Sequence, residues 1–266
     1  MKKNKNKDKS AANRNPSRSS EEILEVDKNN KKILLFPGEE YEFNDKLIHY
    51  GAFGYSSGNL ISKKCGILLC DKNGKVIESS TEEEVFRSLG KYYSPREEDV
   101  ILGIIVQKSS EFVKVDINTY SYAILNTKDF EGATKKLKPT INLGDVVFAR
   151  VSKVNKFDAP VLSCVSEYGN KSWASGESFF GILNGGNLYD LPRIHAWDFY
   201  KNNYALNRLY DVANFEIVFG MNGKMWIKSD TAENVSNIHE ILMSSLKLGK
   251  DDIEKLIHEK FLNKLK

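Results

Sequence analysis

Four consecutive residues in the segment FEIVFGMNGKMWIKS have the types and the spacing to hold a phosphate backbone. Gly220, Met221, Asn222 and Gly223 form a G-x-x-G tetrad, the pattern with which KH-type loops clamp nucleic acid. The same tetrad contains Asn-Gly, a strong signal for a tight turn between two strands. The tetrad therefore has two interpretations, an RNA clamp or a structural turn.

The residues that flank the tetrad favour the turn. A KH-type clamp lies between two helices, so that a helix N-terminus and the loop amides meet the phosphate. Here the flanking runs EIVF and KMWI, the second of which contains Trp226, are short, β-branched or aromatic, and without helical period. They predict two strands joined in a hairpin through Asn-Gly. The segment FYKNNYALN, where a clamp between helices would lie, contains no G-x-x-G.

A second set of candidates lies in EFVKVDI, where side chains of a predicted strand alternate between two faces. The inward, apolar set is Val113, Val115 and Ile117. The outward set is Phe112, Lys114 and Asp116. An exposed ring beside a lysine is the layout with which single-strand binders stack a base and hold a phosphate. These outward residues therefore predict RNA binding, and the alternative is that the aromatics cover a barrel end or a domain interface.

Two further groups extend this candidate surface. By the same alternation, FARVSK predicts outward Phe148 and Arg150, and Tyr120 and Tyr122 are additional aromatic candidates. The loop FEGATKKLKP contains three lysines, which are Lys135, Lys136 and Lys138. A solvated charge run is the usual interpretation of such a loop. Its position between strands of a predicted barrel, where OB folds bind oligonucleotides, favours a functional role.

The sequence gives no positive support for catalysis. The four histidines are scattered and none lies in an H-x-E or H-E-x-x-H motif, and nucleotide-binding glycine loops and G-x-S-x-G are absent. Cys65 and Cys70 are spaced C-x4-C without a second pair, so packed thiols are favoured over a zinc site. We therefore predict neither an enzyme nor a bound metal or cofactor.

Charge is distributed unevenly along the 266 residues. The net charge is +3, but residues 1–20 contain seven Lys or Arg and one Asp, so the remaining chain carries 3 − 6 = −3. RNA binding must therefore depend on a local patch and not on a global field. Three cysteines indicate a reducing compartment, and no stretch is long and apolar enough for a membrane span or a signal peptide. We expect a location in the cytosol or nucleus.

Four regions must position these residues. We predict a disordered basic tail over 1–32, a small β domain over 33–92, an OB-type barrel of five strands over 93–167 and an α+β unit over 168–266. In the last region LPRIHAWDFYKNN looks helical. A second helix is predicted in DTAENVSNIHEILMSSL, with a capping box at Asp230 and Glu233 and an end at Gly249, before a final helix.

Several of these segments resemble one family. FEIVFGMNGKMWIK, DFEGATKKLKPTINLGDVVFARV and YSPREEDVILGIIVQKSSEFVKVDI are similar to the ribosomal RNA-processing protein 40 family, also called exosome component 3, a cap subunit of the eukaryotic RNA exosome. FPGEE and ISKKCGILL resemble its N-terminal domain, and the likeness extends over about residues 33–262 in the same order. One departure is Glu98, which stands before Asp99 where the family usually has glycine.

The resemblance implies a multi-domain β and α+β protein with a small N-terminal β domain, an S1-type OB barrel and a divergent KH domain. It implies a non-catalytic subunit of a complex that is located in the nucleus, including the nucleolus, and in the cytoplasm. The implied partners are single-stranded RNA, the RNase PH-like ring subunits, other cap subunits and an associated exoribonuclease. The rival hypothesis is a purely structural adaptor without RNA contact.

The resemblance also assigns roles to residues. It implies that the tetrad Gly220–Gly223 is structural and packs between the KH and S1 domains. It places RNA contacts mainly on the S1 surface. The candidate RNA-binding residues, from the motif match and the strand alternation together, are Lys108, Ser109, Phe112, Lys114, Lys135, Lys136, Lys138 and Arg150.

Overall fold

A computed structural model describes most of the chain. The described residues are 23–26, 30–41, 53–56, 59–71, 86–90, 92–131, 133, 139–155, 157–166, 178–201 and 203–262. Lys135, Lys136 and Lys138 of the predicted RNA-binding loop lie outside these ranges. The secondary structure therefore covers all three predicted folded regions but not the central lysine loop.

A closed barrel occupies the middle of the chain. Its strands are β8 (Val100–Lys108), β9 (Phe112–Asp116), β10 (Ala123–Phe130), β11 (Val146–Lys153) and β12 (Val161–Cys164). The hydrogen-bonded order is β12-β10-β9-β8-β11, and β12 also pairs with β11, which closes the sheet. Among the pairings of these five described strands, β10 with β12 is the parallel one. This is the five-stranded, OB-type barrel that the sequence predicts.

Alternation along each strand builds the barrel core. Val113, Val115 and Ile117 are fully buried, as predicted, and they pack with inward residues of the other four strands. Each fully buried aliphatic side chain of this kind contributes roughly 1.5–3 kcal/mol relative to an exposed one. The strand β13 (Gly181–Leu183) then pairs with β11 and extends the sheet beyond the closed barrel.

Two small sheets precede the barrel. One has the order β1-β2-β6-β7, and its strands are β1 (Ile23–Val26), β2 (Asn30–Leu35), β6 (Gly66–Asp71) and β7 (Phe86–Ser88). The other has the order β3-β5-β4, and its strands are β3 (Glu40–Tyr41), β4 (Phe53–Ser56) and β5 (Asn59–Ser62). The prediction that 1–32 is disordered is thus wrong at 23–26 and 30–32, because Ile33 pairs with Ile23 and β2 pairs along β6.

An α+β unit follows the barrel. Its sheet has the order β14-β16-β15, and its strands are β14 (Asn187–Asp190), β15 (Phe215–Gly220) and β16 (Lys224–Ser229). Its helices are α1 (Arg193–Lys201), α2 (Tyr204–Val212), α3 (Ala232–Ser244) and α4 (Lys250–Ile257), and α4 continues into a π-helical turn over His258–Leu262. The predicted hairpin is confirmed, because β15 and β16 are antiparallel and Gly220 faces Lys224 across the turn.

The helix boundaries in this unit differ from the predicted ones. The N-cap of α3 is Thr231 and not Asp230, because the Thr231 Oγ1 accepts a hydrogen bond from the Asn234 N–H at 3.2 Å. The helix ends at Ser244, and Gly249 is instead the N-cap residue of α4. Threonine and aspartate are both good N-caps, so composition alone could not choose between the adjacent positions.

Candidate nucleic-acid interface

The outer surface of β8, β9 and β10 brings together four of the residues predicted to bind RNA. Lys108 ends β8, Phe112 begins β9, and Ser109 lies in the short turn between them. Lys114 faces outward two residues along β9 and is half-buried, like Phe112. The partly exposed ring of Phe112 thus shares its face of the sheet with Lys114, whereas Lys108 pairs with the inward Val113 and lies over the end of the barrel.

The turn between β8 and β9 is held by backbone hydrogen bonding. The Ser109 N–H donates to the Phe112 carbonyl at 2.9 Å, and the Lys108 Nζ donates to the Ile141 carbonyl at 2.7 Å. An ammonium group has three donors. The lysine is therefore anchored above the barrel and retains hydrogen-bonding capacity for another acceptor.

Strand β10 adds residues that the sequence reasoning missed. Its outward side chains are Ile124, Asn126 and Lys128, and Asn126 pairs directly with Phe112 across the strands. Lys128 is exposed and lies next to the β8–β9 turn, since the Thr127 N–H donates to the Glu111 carbonyl at 2.9 Å. The alternation in AILNTKDF could have identified this lysine. We call the outward residues Phe112, Lys114, Asn126 and Lys128, together with Lys108 and Ser109 at the adjoining barrel end, the barrel face.

Arg150 lies at the opposite end of the barrel. It pairs with Val100, the first residue of β8, whereas Lys108 is the last, and eight residues of strand span roughly 26 Å. Its guanidinium forms an ion pair with Glu98, and its side chain is only 17% exposed. The structure therefore does not group Arg150 with the barrel face.

Phe148 is not an outward residue, contrary to the alternation that predicts it beside Arg150. It is buried, and its ring contacts those of Phe179 and Phe180 at centroid distances of 5.6 and 5.1 Å. These two phenylalanines precede β13, which pairs with β11 across this edge of the barrel. A long-range partner therefore covers a position that local periodicity assigns to solvent.

The turn of the β15–β16 hairpin is inserted against the barrel. Asn222 is fully buried, and its Nδ2 donates to the carbonyls of Leu102 and Ile117 at 2.7 and 3.2 Å. Its Oδ1 accepts from the Leu102 N–H at 3.3 Å, and the Met221 N–H donates to the Val100 carbonyl at 2.9 Å. One amide side chain thus joins two strands of the barrel to the C-terminal unit.

The two glycines of the tetrad permit this close approach. A Cβ at Gly220 would lie 2.7 Å from the Leu102 nitrogen, and one at Gly223 would lie 2.8 Å from the Leu191 carbonyl oxygen. Gly223 also has a φ of +76°, which residues other than glycine rarely adopt. Trp226 packs into the barrel core, and its Nε1 donates to the Gly185 carbonyl at 2.9 Å.

The N-terminal sheet is tied to the same C-terminal unit. Arg87 on β7 forms a bidentate ion pair with Asp198 on α1, with both N–O distances at 2.6 Å. The His195 Nδ1 lies 3.6 Å from the same carboxylate, and the Arg193 guanidinium donates to the carbonyls of Gly90 and Tyr92. The C-terminal unit therefore contacts both the barrel and the N-terminal region.

This ion pair predicts an acid-sensitive contribution to stability. Burial raises the pKa of Asp198, but the hydrogen bonds and charges of His195 and Arg87 outweigh it and hold the pKa below its usual value. A lowered folded-state pKa stabilises the protein above the unfolded-state pKa, and that stabilisation is lost as pH falls through the folded-state value. Asp198→Asn should cost about 1 kcal/mol at neutral pH, because the pair is half-exposed, and nothing at strongly acidic pH.

Urea unfolding of parent and variant at neutral and acidic pH would check this prediction. Asp211→Asn, which removes an exposed pair with Arg208 within one helix, is the matched control and should cost less. An Asp198→Asn deficit that does not shrink on acidification would contradict the assignment.

Among the described residues, no group of three His, Cys, Asp or Glu side chains is placed to hold a metal ion. The three cysteines are free thiols, and burial raises the pKa of Cys164 well above its usual value. No helix within the described ranges is both long and apolar enough to cross a bilayer.

The closed barrel and the comparisons together define an S1-domain protein of the exosome-component class. Residues 93–176 match the model described as the S1 domain of exosome complex component RRP40. The chain is 30% identical over 212 residues to exosome complex component rrp40 of Schizosaccharomyces pombe. That alignment covers 78% of this chain and 86% of the Schizosaccharomyces pombe protein. It is 28% identical to the Saccharomyces cerevisiae RRP40 over 217 residues, or 79% and 87% of the two chains.

The chain belongs to the RRP40 family of exosome complex components, which confirms the resemblance found in the sequence. A crystal structure of a protein inferred to be an exosome complex RNA-binding protein superposes with a TM-score of 0.51 at 19% identity. That alignment covers 64% of this chain and 97% of the other, and it supports the shared fold.

Proposed function

We propose that this chain is a non-catalytic RNA-binding cap subunit of the RNA exosome that contacts single-stranded RNA through the barrel face. The observation that supports this most directly is the partly exposed Phe112 ring, which shares its face of the sheet with Lys114 on β9 and Lys128 on β10. A base stacks on such a ring while the lysines hold the adjoining phosphates. Family membership supplies the complex in which this contact operates.

The charges around the face set the strength of the contact. Lys114 and Lys128 supply cations on the face that carries Phe112, and Lys108 adds a third at the adjoining barrel end. Asp129, on β10 with Lys128, carries the opposite charge. Its carboxylate already accepts a hydrogen bond from the Asn126 Nδ2 at 2.8 Å. With a net charge of −3 outside the N-terminal tail, the chain should bind RNA modestly and with strong salt dependence.

The remaining regions serve assembly in this proposal. The C-terminal unit is a divergent KH domain. Its tetrad joins it to the barrel, because the Asn222 side chain forms hydrogen bonds with the backbone of Leu102 and Ile117. The N-terminal sheets and the KH domain contact RNase PH-like ring subunits and neighbouring cap subunits, and the RNA passes to an associated exoribonuclease. Lys135, Lys136 and Lys138 remain predicted RNA contacts, and the nucleus and cytoplasm remain the predicted locations.

Charge reversal on the barrel face tests the proposal. Lys114→Glu with Lys128→Glu should weaken binding of a labelled oligouridine at low salt by at least about tenfold, because two phosphate contacts become repulsive. The slope of log affinity against log salt concentration should decrease in magnitude by about 1.4, because each of the two lost phosphate contacts on a single strand contributes roughly 0.7. Fluorescence anisotropy with the full chain measures both quantities.

The control variant is Lys255→Glu with Lys247→Glu, which makes the same charge change at two exposed positions on and just before α4, far along the chain from the barrel. It should leave the RNA affinity within about twofold of the parent. Incubation of the same mixtures with magnesium should leave the RNA length unchanged, and reproducible shortening would reject the non-catalytic proposal. Equal RNA affinity of the parent and the double variant would favour the structural-adaptor hypothesis.

A further inference from the structure

A groove separates the N-terminal sheets from the end of the barrel that lies opposite Lys108 and Phe112. Its volume is about 750 Å³, within the roughly 300–1,000 Å³ of typical ligand sites. One wall is the turn that carries Lys63 and Lys64, between β5 and β6. The other wall consists of two barrel loops, one joining β9 to β10 and one joining β11 to β12.

Two tyrosine rings, which we call the aromatic ledge, line the groove. Tyr120, in the β9–β10 loop, is 89% exposed, and its ring lies 4.5 Å from that of Tyr92 at an angle of 39°. Tyr92 is itself 41% exposed and follows the N-terminal sheet. A large ring that is this exposed and supported by a second ring is pre-organised for stacking, since little side-chain freedom remains to be lost.

The polar groups of the groove favour an anionic ligand. Lys63 is exposed and Lys64 half-exposed on one wall. The carboxylate on the facing wall, Asp158, accepts a hydrogen bond from the Asn155 Nδ2 at 3.0 Å. The groove therefore places cationic side chains, of which Lys63 is the more exposed, beside its aromatic ledge.

We propose that this groove is a second binding site for single-stranded RNA, in which a base stacks on Tyr120 and its phosphate meets Lys63 or Lys64. The combination of a stacking ring and a cation on facing walls is the arrangement that sequence-tolerant single-strand binding requires. The site lies beyond the barrel face, because Phe112 and Asp116 at the two ends of β9 are about 14 Å apart. It does not depend on whether the barrel face also binds RNA.

Two sites on one chain have a physical consequence. A single RNA molecule long enough to reach both sites would bind the second site intramolecularly. Its affinity would therefore exceed that of an RNA that reaches only one site. The groove would thus extend the RNA contact from the barrel towards the N-terminal sheets.

Mapping of crosslinks tests the groove directly. Oligouridine containing 4-thiouridine is irradiated with the full chain, and the crosslinked peptides are identified by mass spectrometry. We expect crosslinks in the β9–β10 loop as well as on the barrel face, and the loop crosslinks should persist in the Lys114→Glu, Lys128→Glu double variant.

Substitution of the ledge gives the quantitative result. Tyr120→Ala should weaken oligouridine binding in that double-variant background by about tenfold, as for the loss of one stacked base. Tyr120→Phe should bind like its parent, because stacking needs only the ring. The matched control is Tyr210→Ala, which removes a 53% exposed ring from α2 of the C-terminal unit and should have no effect.

The outcomes separate the two sites. Loss of loop crosslinks and of affinity in Tyr120→Ala alone supports the groove. Unchanged binding in Tyr120→Ala, or an equal loss in Tyr210→Ala, overturns the groove proposal but leaves the barrel-face proposal untouched. Absence of loop crosslinks from the double variant would likewise overturn the groove proposal.

Discussion

Replacement of Asn222 by aspartate should destabilise the protein by on the order of 4 kcal/mol, although the two side chains have nearly the same shape. The Nδ2 group that donates to the Leu102 and Ile117 carbonyls would become a carboxylate oxygen that faces two acceptors. The site is fully buried, so no water can replace the lost hydrogen bonds. This cost is a large fraction of the roughly 5–15 kcal/mol that stabilises a typical domain.

The pH dependence of Asn222→Asp identifies the cause of the loss. Burial and the two facing carbonyls should raise the pKa of the new carboxyl in the folded state. A raised folded-state pKa means that the variant regains stability as pH falls, because the protonated acid is neutral and can donate one hydrogen bond. The parent has no titratable group at position 222, so the difference in the free energy of unfolding between parent and variant should narrow as pH falls.

Chemical denaturation at several pH values measures this difference. Asn214→Asp makes the same chemical change at an exposed position beside the hairpin and should cost less than about 0.5 kcal/mol. If Asn222→Asp were as stable as Asn214→Asp at neutral pH, the contact between the turn and the barrel would not stabilise the fold.

Local periodicity predicts the barrel because its strands obey one simple rule. Val113, Val115 and Ile117 alternate with outward residues, and a closed sheet needs every strand to bury one face. The hairpin is equally local, since β-branched runs on both sides of Asn-Gly leave the chain few other conformations. The family resemblance rests on the same segments, and the matched S1 domain agrees with it.

Contacts between distant segments could not be predicted from such patterns. Phe148 is covered by Phe179 and Phe180, and Arg150 is neutralised by Glu98, 52 residues earlier in the chain. The alternation rule assigns a face but does not say what packs on that face. The ion pair between Arg87 and Asp198 and the groove beside Tyr120 likewise depend on how the N-terminal sheets dock.

The tetrad shows most clearly how a motif and its context differ in what they predict. Its G-x-x-G spacing matches an RNA clamp, yet its hydrogen-bonding groups are used inside the protein. The Asn222 amide, the Met221 N–H and the Gly223 N–H all have protein partners. Few hydrogen-bond donors of this turn therefore remain to bind a phosphate. In this respect the tetrad differs from the barrel face, which we propose as the RNA-binding surface.

Gly220→Ala tests this conclusion with a change of one methyl group. The new Cβ would lie 2.4 Å from the Asn222 Oδ1 and 2.7 Å from the Leu102 nitrogen, so either the hairpin or β8 must shift. Overpacking of this kind costs about 1–3 kcal/mol, and displacement of Asn222 adds the cost of its buried hydrogen bonds. We expect a total loss of about 3 kcal/mol or more in the free energy of unfolding.

The matched control is Gly249→Ala, where a Cβ would meet no atom within 4 Å and the backbone is ordinary. It should cost less than about 1 kcal/mol, as expected for an N-cap without a side-chain hydrogen bond. Thermal unfolding and oligouridine binding are measured on the same samples, below the unfolding transition. Because the hydrogen-bonding groups of the tetrad have partners within the protein, folded Gly220→Ala should bind oligouridine like the parent. A variant with parental stability and lost RNA affinity would instead make the tetrad an RNA clamp.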